Sequence, residues 1–347
     1  MFLKIKKEID NNLSAFIVQL NKKYSLSSLS PILFEKIKDF SLREGKRIRP
    51  ILFITGYKGY KNKTVSGLYQ SALSIELLHN FMLVHDDIID KSGTRRGKPS
   101  MHAMFDNYLK KSKQTKFNGS DLSIVVGDII YALAIDAFLS INEDFQLKEK
   151  ALHNFIKAAV FTGSGEFIEL INGIKPLDEL KKSDIYKIYD YKTAFYTFSC
   201  PLSTGAILAG VKGKELDKIN AYGRYLGRAF QIKDDILGIF GDEKKTGKSQ
   251  ISDLQEAKKT LLIFYAYNKS PKKQRGKIKN LFSKKQINKT DLTLIQSLIL
   301  QSNALDLAKK DIEGLIKQSQ AILDTLSMKK SYKKALTGYF LPLLTKK

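Results

Sequence analysis

Apolar residues recur along this chain at three- and four-residue steps. Leu73, Leu77, Phe81, Val84 and Ile88 fall on one stripe of a helical wheel, and residues 124–139 and 222–239 repeat the pattern. Strict two-residue alternation is scarce, so an all-α fold with little sheet is expected. Clusters of Gly, Pro, Ser and Lys at 27–31, 56–63, 92–99, 110–120, 173–176, 210–213 and 241–249 mark the expected breaks. None is long enough to be an interdomain linker, and no repeat of fixed period is visible. One helical domain spanning 1–347 is therefore expected. Hydrophobic residues make up 43% and charged residues 27%, which suits a sizeable core and excludes wholesale disorder.

The 59 Lys and Arg against 35 Asp and Glu give a net charge of +24. Nucleic acid, an anionic membrane surface and anionic small substrates all fit such a balance. No zinc-ligand spacing, RNA-binding aromatic motif or basic zipper appears, so nucleic acid is not the expected partner. Most of the lysines are dispersed and read as solvated surface. Peripheral contact with anionic lipid stays open. The most apolar stretch, 124–141, contains Asp128 and Asp136, so no transmembrane segment is expected. The opening MFLKIKKEIDNN mixes Lys with Glu8 and Asp10 and lacks a signal-peptide core. Cys200 is the one cysteine, which excludes an intrachain disulfide framework. A cytoplasmic location is the default expectation.

The strongest local signal is LLHNFMLVHDDIIDKSGTRRGKPS, residues 77–100. Asp86 and Asp90 are four residues apart and share one helix face, with Asp87 about 100° around. His79 and Met82 fall near the Asp86 side of the wheel. Three carboxylates at a helix C-terminus repel one another and oppose the dipole, so a cation should compensate. Oxygen donors without cysteine favour Mg²⁺, which completes its shell with water and phosphate. Arg95 and Arg96 follow at once, and arginine suits bidentate phosphate contact. Metal-binding carboxylates beside phosphate-binding arginines point to a diphosphate. Taken alone, the segment also reads as an acidic helix end neutralised by two arginines.

A second acidic pair, Asp234–Asp235, lies in GRAFQIKDDILGIFGDEKKTGKSQISDL, residues 227–254. Two aspartates among Phe230, Ile232, Ile236 and Leu237 are costly unless one has a metal or another partner. Gln231 lies one turn earlier, and Lys244, Lys245 and Lys248 fill the loop beyond Gly241. A basic turn precedes both motifs at 44–50, where Lys46 and Arg49 can grip an anion. Gly45 permits close approach there, and Pro50 is expected to force an extended or turn entry. Lys192–Thr193 follows a Tyr-rich stretch and is too short to interpret alone.

In order, GKRIRP, HDDIID with TRRGKPS, YKTA, and FQIKDDILGIFGD with TGK resemble the trans-isoprenyl diphosphate synthase (polyprenyl synthetase) family over roughly residues 30–265. The first motif is a DDxxD motif, and with Phe81 and Met82 ahead of it and no two-residue insertion the chain most resembles archaeal-type geranylgeranyl diphosphate synthases. The resemblance implies an isoprenoid-synthase helical bundle around a central cavity, a homodimer, and Mg²⁺, three ions with substrate bound. It implies head-to-tail addition of isopentenyl diphosphate to dimethylallyl, geranyl or farnesyl diphosphate. By matching position, Asp86, Asp90 and Asp234 look like metal ligands, with Asp87 and Asp235 in support. Arg95, Lys192, Thr193, Gln231, Lys248 and Lys258 look like allylic diphosphate contacts. Lys46, Arg49, His79 and Arg96 look like the isopentenyl diphosphate cradle. His85 reads as structural.

Some positions depart from the family pattern. Gly238 stands where many relatives carry a third Asp, Glu166 where Gln is usual, Glu169 where Asp is usual, and Ala257 where Gly is common. In the family, the residues four and five before the first Asp help floor the chain tunnel; here they are Met82 and Phe81. A large aromatic before a flexible residue resembles C20 synthases, with C15 or longer products the alternative. The ideal wheel sets Phe81 about 140° from Asp86, so periodicity alone does not place it in a tunnel. A class I terpene cyclase would need an Asn/Asp, Ser/Thr, Glu triad at four-residue steps, which is absent. A non-catalytic regulatory subunit of a heteromeric synthase is the remaining alternative. Such subunits usually lose one Asp motif, and this chain keeps both.

Overall fold

The computed structural model describes residues 1–110, 115–241, 250 and 252–345. Helix follows helix through α1 (Phe2–Tyr24), α2 (Leu26–Leu29), α3 (Pro31–Leu42), α4 (Ile48–Tyr60), α5 (Leu68–Ile89), α6 (Met101–Leu109), α7 (Gly119–Leu139) and α8 (Phe145–Ile174). A 3-10 turn (Leu177–Glu179), α9 (Lys182–Ile188), a π-helical stretch (Tyr189–Ser199), α10 (Cys200–Leu208) and α11 (Lys214–Phe240) come next. The chain ends with α12 (Ser252–Gln255), α13 (Leu261–Lys269), α14 (Lys272–Phe282), α15 (Lys289–Gln301), α16 (Ala304–Thr325) and α17 (Lys330–Thr345). Among the described residues the only sheet is an antiparallel pair of two-residue strands, β1 (Thr94–Arg95) and β2 (Lys98–Pro99). The all-α expectation holds.

The chain divides into two compact units, Met1–Phe155 with Thr204–Val211, and Ile156–Ser203 with Lys212–Lys347. The first two crossings fall inside α8 and α10 rather than in a linker. In the first unit α5 packs along α7, α4 and α1. Leu73, Leu77 and Val84 of the expected stripe are buried, whereas Phe81 and Ile88 are half-buried. Ile75 and Leu78 are buried as well, and so are Ser71, Ser74 and Glu76, so residues 71–78 of α5 are enclosed on every side. Each large apolar side chain among them contributes about 1.5–3 kcal/mol by leaving water.

α7 begins at a capping box. The Asn118 side chain accepts from the Asp121 amide at 3.2 Å, and the Asp121 carboxylate accepts from the Asn118 amide at 2.8 Å. Val126, Ile130, Ala134 and Phe138 form its buried face. By length and composition α7 is the one described helix that could cross a bilayer, a test that a core helix also passes. Two breaks differ from expectation. α4 runs through Gly56 to Tyr60, because Gly56 is buried within the helix. It also starts at Ile48, ahead of Pro50, since first-turn amides have no intrahelical acceptor and Pro50 loses nothing there.

In the second unit α11 packs along the π-helical stretch and α16. Ile219, Tyr222, Leu226, Ile232 and Ile239 are the buried side of α11. The last turn of α8 is closed by Lys259, whose ammonium donates to the Asn172 and Gly173 carbonyls at 2.8 and 2.9 Å. A cation there complements the negative end of the helix.

Candidate active site

The first unit carries two charged stations on α5. Asp86 and Asp90 stand at its C-terminal end, half-buried, with carboxylate oxygens within 4.8 Å of one another. That spacing suits a shared hard cation. Asp87, next to Asp86, is fully buried. Arg95 answers it: its Nε donates to Asp87 Oδ1 at 2.8 Å, its Nη2 donates to the same oxygen, and Asp86 lies 3.3 Å away. Burial pushes the Asp87 carboxyl above the usual carboxylate range. Arg95 opposes that shift, and the Asp86 charge adds to it. Arg95, expected at a diphosphate, is thus fastened to the acidic motif itself.

Arg95 and Arg96 are delivered by the β1–β2 hairpin. Arg96 and Gly97 both take positive φ, 55° and 71°, which is the geometry of a two-residue type I′ turn. Glycine adopts it freely, whereas an arginine there is strained, a feature that clusters at functional sites. Arg43 holds the hairpin by donating to the Arg95 and Pro99 carbonyls at 3.2 and 2.9 Å.

The second station surrounds His79. Burial first, then the cations Arg49, Arg96, Arg95 and Arg47, hold this imidazole well below the ordinary histidine range. A neutral ring among guanidinium groups is an anion-binding environment. Lys46 is exposed and Arg49 half-buried, while Arg47 between them is buried. Arg47 donates to Glu76 at 2.5 Å and to Asp10 of α1 at 2.9 Å, and Arg96 approaches Glu76 at 3.6 Å. Arg47 and Glu76 were not singled out in the sequence. The available signal was Glu76 itself, a carboxylate between Ile75 and Leu77. Phe81 and Met82 lie between the two stations. The Phe81 ring sits 5.1 Å from Tyr131 of α7 and 4.7 Å edge-on from His85.

In the second unit, Asp234 is exposed and Asp235 is buried. Gln231 donates to Asp235 at 2.9 Å and accepts from the Thr193 hydroxyl at 2.6 Å. Lys192 lies between Glu166 and Glu169, 2.5 Å from each. Gly165 makes this possible, because a Cβ there would stand 2.6 Å from the Lys192 amide nitrogen. Lys258 pairs with Glu256. Ala257 has φ 53°, the left-handed conformation that glycine takes without strain. Lys248, and Lys244 and Lys245 beside it, lie outside the described residues.

Comparison with known proteins fixes the family. Residues 30–299 match the polyprenyl synthetase family. The chain belongs to it. It is therefore a trans-prenyl diphosphate synthase by descent, with the all-α fold of that group. It is 33% identical over 281 residues to the geranylgeranyl diphosphate synthase of Saccharolobus solfataricus, covering 77% of this chain and 76% of that one. It is 31% identical to the geranylfarnesyl diphosphate synthase of Aeropyrum pernix, covering 80% and 83%. The fold matches a Corynebacterium glutamicum geranylgeranyl pyrophosphate synthase, crystallised with isoprenyl diphosphate and magnesium, with a TM-score of 0.89 over 99% of both chains at 23% identity.

Proposed function

We propose that this synthase condenses isopentenyl diphosphate head-to-tail with dimethylallyl, geranyl and farnesyl diphosphates, and that its product is geranylgeranyl diphosphate. The observation that carries the reading is the pairing of opposite stations on α5. Seven residues separate His79, among its arginines, from Asp86, about 10 Å along the helix axis. A cationic pocket takes one diphosphate directly, and an acidic pair takes the other through divalent cations.

Asp86 and Asp90, and Asp234 in the second unit, are the residues assigned to Mg²⁺. Their oxygen-only, acceptor-only character fits that ion, and bound there it would neutralise charge gathering on the leaving diphosphate. Lys46, Arg49, His79 and Arg96 orient isopentenyl diphosphate. Arg95, Lys192, Thr193, Gln231, Lys248 and Lys258 are assigned to the allylic diphosphate. When the allylic C–O bond breaks, its electron pair leaves on a diphosphate oxygen, and Lys and Arg donors stabilise that oxygen. The double bond of isopentenyl diphosphate then supplies the pair for the new C–C bond. A proton is lost to restore neutrality, with released diphosphate as its acceptor. The delocalised cation must be kept from water, a task for apolar walls.

Phe81, backed by Tyr131, supports a C20 stop, and the S. solfataricus relative points the same way. Retention of both Asp motifs favours an enzyme over a regulatory subunit. We also propose a homodimer. The test is radiolabelled isopentenyl diphosphate with each allylic primer and Mg²⁺, with products dephosphorylated and separated by chromatography. A dominant C20 alcohol is expected. A dominant C15 or C25 alcohol overturns the product assignment, and no product with any primer overturns the reaction.

A further inference from the structure

The second acidic pair faces two environments, Asp234 exposed and Asp235 only 6% exposed. A carboxylate so buried is costly unless its oxygens accept hydrogen bonds. Oδ1 accepts from Gln231 Nε2 at 2.9 Å, and Oδ2 accepts from the hydroxyl of Tyr189. That hydroxyl also accepts the backbone N–H of Leu261 at 2.9 Å. Leu261 is the first residue of α13, three positions beyond Lys258. One buried oxygen therefore joins the acidic motif on α11 to the segment that carries Lys258.

Tyr189 opens the π-helical stretch, and Thr193 follows four residues later in the same stretch. On α11, Gln231 and Asp235 are also four apart. The two segments meet in two rungs, Tyr189 to Asp235 and Thr193 to Gln231. π-helical turns recur where side chains are aimed at functional sites. Thr193 and Gln231 already have assigned roles at the allylic diphosphate, whereas Tyr189 has none.

We propose that Tyr189 is the positioning residue of the second acidic motif. Its hydroxyl holds Asp235 inward, which leaves Asp234 turned outward for Mg²⁺-diphosphate, and it ties the Lys258 segment to the same frame. The proposal rests on the prenyltransferase reading. Partners that orient metal-binding groups typically cost about tenfold or more in metal affinity when removed.

The test is Tyr189→Phe, which keeps the ring and removes the hydroxyl, with Asp235→Asn as a second variant that keeps side-chain shape. Folding is checked by circular dichroism. For both variants, the half-saturating Mg²⁺ concentration and the KM for the allylic diphosphate should rise about tenfold, while the KM for isopentenyl diphosphate stays put. Calorimetric titration with inorganic diphosphate in excess Mg²⁺ should show the same loss without turnover. A lowered melting temperature with unchanged Mg²⁺ dependence, allylic KM and diphosphate binding overturns the proposal, since a merely structural role predicts that result. If only Tyr189→Phe misfolds, unchanged values in Asp235→Asn overturn it equally. Wild-type protein that turns over no primer overturns the parent reading instead.

Discussion

At the scale of single residues, the carboxylates divide by burial. Asp86, Asp90 and Asp234 remain reachable, while Asp87 and Asp235 are buried against Arg95 and Tyr189. Replacing Asp86 or Asp234 with Ala should lower kcat by orders of magnitude with the fold intact; near-normal turnover removes that residue from the metal assignment. Phe81 packs on Tyr131. Phe81→Ala should open the floor and shift products beyond C20, read by chromatography of the dephosphorylated alcohols. An unchanged C20 peak discards the floor assignment. His79 gives a pH effect of definite sign. Its folded-state pKa is depressed below the ordinary 6.5, so below that pH the unfolded chain takes up a proton that the folded ring refuses. Its stabilising effect is complete above about pH 6.5 and diminishes as pH falls below it. The wild-type melting temperature should drop more steeply from pH 7 to 5 than that of His79→Gln.

At the scale of elements, α1, α4, α5 and the β1–β2 hairpin are joined through buried guanidinium groups. Arg47 and Glu76, each with a side chain 2% exposed, form the central ion pair, and Asp10 of α1 takes the remaining Nε. Breaking such a pair strands a charge. Glu76→Gln should cost about 3 kcal/mol, the lower end of the usual 3–5 because Asp10 stays, measured by urea unfolding. The KM for isopentenyl diphosphate should rise with it as Arg47 and Arg96 relax. A change below about 0.5 kcal/mol would show the pair to be dispensable, the size expected of an ordinary surface site. These elements also mark what a sequence can reveal. The helices were legible because the 3.6 period is long and repeated. The DDxxD face was legible because i and i+4 coincide on any helix. Which of Lys46, Arg47 and Arg49 turns inward was not, since the choice depends on Glu76 and Asp10, far away in the chain. The hairpin is two residues per strand, too short to alternate. The π register of 189–199 differs from α by one residue per hydrogen bond, which composition does not encode, and so Tyr189 did not stand out among its neighbouring tyrosines.

For the whole molecule, the unusual feature is apolar surface on a chain of charge +24. On α8, Ile156 and Val160, and two turns further on Phe167, Leu170, Ile171 and Ile174, are all exposed on the surface, Phe167 by 65% and Ile174 by 82%. On α7, Ile124, Val125 and Leu139 are exposed on the side away from its buried face. Scattered exposed leucines are ordinary, but six large apolar side chains exposed along one helix, broken at Gly163 and Ser164, mark an interaction surface. The homodimer we propose would cover the α8 surface with a second copy. Two bodies of charge +24 repel, so contact must come from apolar burial, and added salt should strengthen it by screening. Light scattering on a sizing column should give twice the 39.3 kDa chain mass, with more dimer at high salt than at low. Val160→Asp with Phe167→Asp should yield monomer while leaving helical content unchanged, because both side chains already face water in one copy. A monomeric wild type at both salt concentrations, or a double variant that stays dimeric, would rule out this face as the dimer contact.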